Sequence, residues 1–270
     1  MRETGLDFWR GKVVLVTGAS RGIGEALVQQ LARLGANVVL TARSQAELRR
    51  VADDLSAART KCIFESADVR DQTAVEQVVR YAVAEWGRLD VLINNAGIGL
   101  HGPVETLDPA LLQETVAVNV IGPLNFMQAA VPVFRSQRAG LIINIASLGA
   151  IQVAPNIGGY AATKAALAKL GEALRLELKA DGIRVCTVYP GSARTEFRQH
   201  ALGQAYQTDE PRLSRVAPEV VAEQILRQAA RGKRDIFITH PDRAFAYLAR
   251  ALPAGVEYIV QWAFRRKKRI

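Results

Sequence analysis

The chain has 270 residues, 49% of them hydrophobic and 23% charged, a length and apolar content that suit one large α/β domain and call for no second one. The formal charge is +9, but Arg265, Arg266, Lys267, Lys268 and Arg269 carry five of those charges, which leaves +4 for the body, so the excess is largely a property of the tail and no nucleic-acid partner is expected. Cys62 and Cys186 lie in apolar, strand-like surroundings with no C-x-x-C or Cys/His cluster, so they read as buried free thiols in a reducing compartment, with no metal.

The opening "MRETGLDFWRGKVVLVTG" is interrupted by Arg10 and Lys12 and lacks the apolar core of a secretory signal, so a cytoplasmic location is expected. "KVVLVTG" is the first strand, and "IGEALVQQLARLG" has helical apolar spacing closed by Gly. "NVVLTA" is a second strand, "SQAELRRVADDLSAA" a helix, "KCIFESA" a third strand and "DQTAVEQVVRYAVAEWG" another helix. "LDVLINNAG" is a fourth strand, a helical stretch follows near residues 108 to 135, and "GLIINIAS" and "IRVCTVYPG" are the fifth and sixth strands. Alternation of helices with strands that are apolar throughout predicts a doubly wound parallel sheet of Rossmann type, covered on both faces. Ligands bind such sheets beyond the carboxyl ends of the strands, where Gly18, Asn94, Ser147 and Pro190 fall.

"TGASRGIG" at 17–24 follows the first strand and enters the first helix, where a dinucleotide pyrophosphate can meet free backbone N–H groups. Its G-x-x-x-G-x-G spacing differs from G-x-G-x-x-G, yet it can serve the same tight turn and close approach. In "GGYAATKA" a helix would put Tyr160 and Lys164 on one face, and a fixed ammonium lowers the pKa of a phenol, about 10 when free, toward the working pH.

From about Lys12 to about Thr195, and more weakly to roughly residue 240, the chain resembles the short-chain dehydrogenase/reductase family in its standard-length branch. "TGASRGIG" is similar to the family's cofactor loop, "NNAG" at 94–97 to its motif after strand four, and "YAATK" to its catalytic Y-x-x-x-K. Ser147 stands 13 residues before Tyr160, as the family's catalytic serine does; "VNVIG" puts Asn119 at the fourth catalytic position, and "PGSART" matches P-G-x-x-x-T.

The resemblance implies hydride transfer between a nicotinamide and a carbonyl or alcohol carbon, with Tyr160 as proton donor and acceptor. Lys164 would lower the tyrosine's pKa and hydrogen-bond the nicotinamide ribose, Ser147 would hold the substrate oxygen, and Asn119 would steady a water leading to solvent. It places Gly18, Ser20, Arg21, Gly22, Ile23, Gly24, Arg43, Asp68, Val69, Asn95, Ala96, Gly97, Tyr160, Lys164, Pro190, Gly191 and Thr195 against the cofactor. Ala193 departs from the larger β-branched residue common there. Strand two ends in "VVLTARS", with no carboxylate for ribose hydroxyls; Arg43, with Arg21 in the loop, suits the 2′-phosphate, so NADP(H) is expected over NAD(H). Asp68 admits two readings, an adenine contact or a helix N-cap. A non-catalytic NADP-binding sensor or membrane-associated scaffold would be marked by loss of the tyrosine or lysine, and both are present.

Uncharged Ile151, Val153, Pro155 and Ile157 before the tyrosine suggest a largely apolar substrate. Phe197, Leu202 and Tyr206 fall in the variable lid at about 192–215, while His101 and His200 admit two readings, polar substrate contacts or, more often for such residues, surface loop residues. The catalytic domain is expected over 1–240, with 241–270 its apolar and basic extension. Arg250, Pro253 and Glu257 argue against a spanning helix in that extension. Peripheral membrane contact and packing on the core or on a partner of a homodimer or homotetramer are both open for it.

Overall fold

In the computed structural model, residues 7–57, 60–204 and 216–267 are described, with side chains through residue 264. Fully buried Val13–Thr17 (β1) runs into helix Gly22–Arg33 (α1), followed by Asn37–Ala42 (β2), Gln45–Ala57 (α2), Cys62–Ser66 (β3) and Gln72–Trp86 (α3). Val91–Asn94 (β4) and the short Leu100–His101 (β5) lead to Pro109–Val116 (α4) and Gly122–Gln137 (α5), joined by a π-helical turn at Ala117–Ile121. Gly140–Ile145 (β6), Gly158–Glu177 (α6) and Ile183–Tyr189 (β7) follow. The chain continues with Leu202–Gly203 (β8), Pro218–Ala230 (α7), Asp235–Phe237 (β9), His240–Ala251 (α8) and Pro253–Lys267 (α9).

The main sheet is wholly parallel, in the order β3-β2-β1-β4-β6-β7-β9. Alternate residues of each strand face opposite cores. Val14, Val16, Val38, Leu40, Val91 and Ile93 pack with α1, α2 and α7 on one side. Val13, Leu15, Val39, Leu92 and Ile142 pack with α3, α5 and α6 on the other. Strand order reverses between β1 and β4, which puts the crevice for a ligand beyond their carboxyl ends.

Three features depart from expectation. The sheet has a seventh strand, β9, whose three residues pair with Thr187, Val188 and Tyr189; so short a run shows no periodicity of its own. The stretch near 108 to 135 is two helices with a π-turn between them, and that turn carries Asn119. By length and composition Pro109–Gln137 could cross a membrane, with a mean hydropathy of 1.4, but 56% of its most apolar window is buried, as in a core helix. Both cysteines are free, yet only Cys186 is buried. Cys62 is half-buried because β3 is an edge strand, and its Sγ lies 3.6 Å from the Ala52 carbonyl.

Asp90 joins the start of β4 to β1. Its carboxylate accepts from the Val13 backbone N–H at 2.9 Å and from Arg88 at 2.5 and 3.0 Å, while only 7% exposed. Asp90→Ala would strand a buried N–H, so its unfolding free energy in denaturant titrations should fall by about 2–3 kcal/mol, with a smaller loss for Asp90→Asn, which keeps an acceptor.

Candidate active site

The turn from β1 into α1 uses left-handed backbone at Gly18 (φ +63) and Gly22 (φ +58), which L side chains rarely adopt. A Cβ on Gly18 would lie 2.9 Å from Ala96 Cα, and one on Gly24 only 2.0 Å from the Gly18 carbonyl oxygen. Arg21, the residue before α1, makes no side-chain cap, which leaves the first N–H groups of the helix for a ligand. Thr17 locks this turn to the end of β4: its hydroxyl accepts from the backbone N–H of Asn95 at 3.0 Å and of Ala96 at 2.9 Å. Asn95 Nδ2 donates back to the carbonyls of Thr17 (2.9 Å) and Gly18 (3.1 Å).

On α6, Tyr160 and Lys164 share a face, with Lys164 Nζ 6.0 Å from the tyrosine ring centroid. Lys164 is 3% exposed and donates to the Ile145 carbonyl at 2.9 Å, and burial pushes its ammonium down to about 8. The Tyr160 ring also meets Phe197 edge-on at 5.8 Å. Asn119 bridges the π-turn to the chain after β4, accepting from the Ile98 N–H (2.8 Å) and donating to the Ile98 carbonyl (2.9 Å) and to Thr163 Oγ1 (3.0 Å). Gly97 lies between them: a Cβ there would sit 3.0 Å from Asn119 Oδ1 and 3.1 Å from Lys164 Nζ. Ser147, just beyond β6, accepts from the Gly149 N–H at 3.1 Å and so caps the 3-10 turn Leu148–Ala150.

These elements border one cleft of about 1350 Å³. Gly18, Ser20, Arg21, Gly22, Ile23, Arg43, Asp68, Val69, Asn95, Ala96, Gly97, Ser147, Tyr160, Lys164, Pro190, Gly191 and Thr195 all line it. Gly24 and Asn119 do not; both are buried behind its surface, the first in the loop packing and the second holding backbone. Asp68 does not cap α3, because Asp71 performs that role by accepting from the Ala74 N–H at 3.1 Å. Asp68 is instead held by a bidentate pair with Arg70, which lowers its carboxyl pKa.

At the Arg43 end of the cleft stand three guanidinium groups. Arg21 lies 3.1 Å from His200 Nε2 and 3.9 Å from Glu47, and Arg50 pairs with Glu25 at 2.9 Å. Among the described residues, the Arg43 side chain has no hydrogen-bond or ion-pair partner. Arg50 carries no motif in the sequence, whereas Thr17 and Thr163 lie inside "TGASRGIG" and "YAATK" and only the fold shows what their hydroxyls hold. Of the apolar residues expected at the substrate end, Val153, Ile157 and Phe197 line the cleft, whereas Ile151 packs beneath it against the Tyr189 and Phe237 cluster. His101 is no surface residue: it is 7% exposed in β5 and borders the cleft, as does the exposed His200. Tyr206 lies outside the described residues. The C-terminal segment contributes a wall through Phe245, Val260 and Phe264.

Lys164 makes stability pH-dependent in a stated direction. An unfolded lysine titrates near 10.5 and the buried one at about 8, so between those values the unfolded chain binds more protons and the cost of burying the charge fades as pH rises. Lys164→Met should therefore raise the melting temperature of the ligand-free protein at pH 7, with the gain shrinking toward pH 10 in melts at fixed salt.

The family pattern described as "short chain dehydrogenase" matches residues 12–205. The chain is 35% identical over 190 residues to "Uncharacterized oxidoreductase Lin0452" of Listeria innocua, covering 70% of this chain and 77% of that one. A short-chain dehydrogenase/reductase from Burkholderia phymatum, solved in complex with NAD, superposes with a TM-score of 0.82 at 25% identity, over 90% of this chain and 94% of that one. A short chain dehydrogenase from Burkholderia cenocepacia, in complex with NADP, gives 0.79 at 26% identity, over 93% and 98%. With the glycine turn, the parallel sheet and the Tyr160–Lys164 face in place, these matches establish that the chain belongs to the short-chain dehydrogenase/reductase family of oxidoreductases, which use a nicotinamide cofactor.

Proposed function

We propose that the protein is an NADPH-dependent oxidoreductase acting between the carbonyl and alcohol states of a largely apolar substrate. The observation that carries this reading is the placement of Tyr160 beside a buried Lys164 on the same cleft as Ser147 and the glycine turn. The residues fit a dinucleotide: Gly18, Gly22 and Ile23 line the cleft at the uncapped start of α1, where free N–H groups can meet a pyrophosphate. Gly18, Gly22 and Ile23 would hold that pyrophosphate, Asp68 and Val69 the adenine side, and Asn95, Pro190, Gly191 and Thr195 the nicotinamide side. When bound, the cofactor supplies or accepts the hydride.

Reduction of a carbonyl builds negative charge on its oxygen, and a hydroxyl aimed at that position stabilises it. Ser147 is the donor in this reading, and Tyr160 delivers the proton. A positive Lys164 favours release of the phenolic proton, while Asn119, through Ile98 and Thr163, keeps the neighbouring backbone and helix in place. Arg43 supports the preference for NADP: a guanidinium on the cleft that makes no hydrogen bond or ion pair among the described residues fits a doubly charged phosphate. Val153, Ile157 and Phe197 support an apolar substrate. The enzyme works in the cytoplasm as a homodimer or homotetramer.

NADPH consumption against a panel of carbonyl compounds tests this reading. Tyr160→Phe should cut turnover by about 10²–10⁴-fold while leaving NADPH binding, read by cofactor fluorescence, nearly intact; substantial residual turnover refutes the assignment. Arg43→Asp should lower the NADPH-to-NADH ratio of kcat/KM by about 10–100-fold, the worth of one charge-assisted bond.

A further inference from the structure

A helix that packs on its own protein with one face is ordinarily polar on the other. α9 is not. Val256 is buried, and Val260, Ala263 and Phe264 follow on the inner side, the last three bordering the cleft. The outer side carries Tyr258 at 70% exposure and Trp262 at 53%, while Ile259, 55% exposed, borders the cleft at its rim. Leu252, between the two helices, and Tyr247 and Leu248 on α8 extend this exposed apolar surface. Its charged neighbours are Arg243 and Arg250 on α8 and Glu257, which with Gln261 forms a polar strip along one flank of α9.

We propose that the outer face of α8 and α9 docks on an anionic membrane surface, making α9 a shared wall between lipid and the active-site cleft, so that the apolar substrate enters from the lipid phase. Charge decides the occupant. In sequence the five cations at 265–269 come directly after the aromatic segment, and basic residues that adjoin aromatic and aliphatic ones are the combination that holds an interfacial helix on acidic headgroups. A second copy of this chain would bring a like-charged run toward the same surface. At 15 residues α9 is about 22 Å long, too short to span a hydrocarbon core of about 30 Å, so it lies in the interface. The entry route rests on the carbonyl-reductase reading above, whereas docking does not.

The full-length protein should sediment with vesicles of mixed phosphatidylcholine and phosphatidylglycerol and stay in solution with phosphatidylcholine alone. A Tyr258→Ser, Trp262→Ser double variant, altered only at exposed positions outside the cleft lining, should bind the anionic vesicles at least tenfold more weakly, as should Arg265→Glu, Arg266→Glu, Lys267→Glu. NADPH consumption then separates the two claims. Anionic vesicles should speed turnover of a vesicle-dissolved long-chain methyl ketone by the parent but not by the double variant, while both turn over water-soluble cyclohexanone equally. Absence of vesicle binding by the parent overturns the proposal, as does equal binding by the double variant. A double variant that instead dissociates into smaller oligomers on sedimentation assigns the face to a subunit contact and also overturns it. Docking without turnover of either ketone removes the entry route together with the reading it rests on, and leaves membrane docking standing.

Discussion

A side chain at Gly24 would put its Cβ 2.0 Å from the Gly18 carbonyl oxygen and 2.6 Å from Asn95 Nδ2. The cofactor end of the cleft depends on that missing carbon. Without it, α1 starts directly over the end of β1, and Asn95 reaches two carbonyls of the turn while Thr17 reaches two N–H groups after β4. Four hydrogen bonds thus fix the ends of β1 and β4, the two strands at which the order of the sheet reverses. The helix N-terminus left uncapped by Arg21 is aimed by this lock, rather than by any contact of its own.

The chemical end is organised by a second constraint, the burial of an ammonium. Among the described residues Lys164 donates to one acceptor, the Ile145 carbonyl, and at 3% exposure packed chain replaces most of its water. Such a charge is costly and is tolerated where its neighbours are held rigidly. Asn119 contributes to that rigidity: it uses both ends of its amide on Ile98 and reaches Thr163, one residue before Lys164. The π-turn that carries Asn119 widens the helix locally, the kind of irregularity often found at functional sites. Gly97 completes the arrangement by leaving space between the Asn119 and Lys164 side chains.

Legibility differed by the range of the signal. The strands β1, β2, β4, β6 and β7 are runs of four to seven residues, mostly buried, and such runs announce themselves in sequence. β9 has three residues and exists because β7 offers an edge. Asp68 and Asp71 are both credible caps by residue type, and the position of the first turn of α3 chose Asp71. His101 looked like a loop residue but is buried because β5 pairs with β8 a hundred residues later.

By itself the sequence determined the alternation of strand and helix, the glycine turn and the Tyr160–Lys164 spacing, since each is a local pattern set by backbone sterics or helical geometry. Only the tertiary structure decided that Arg50 reaches the Ser20 carbonyl and Glu25, that Ile145 takes the lysine's hydrogen bond, and that the C-terminal helix closes one side of the cleft with an aromatic face left exposed. Those relations join residues far apart in the chain. They are set by which strands pair and which faces pack, and no short window of sequence encodes that.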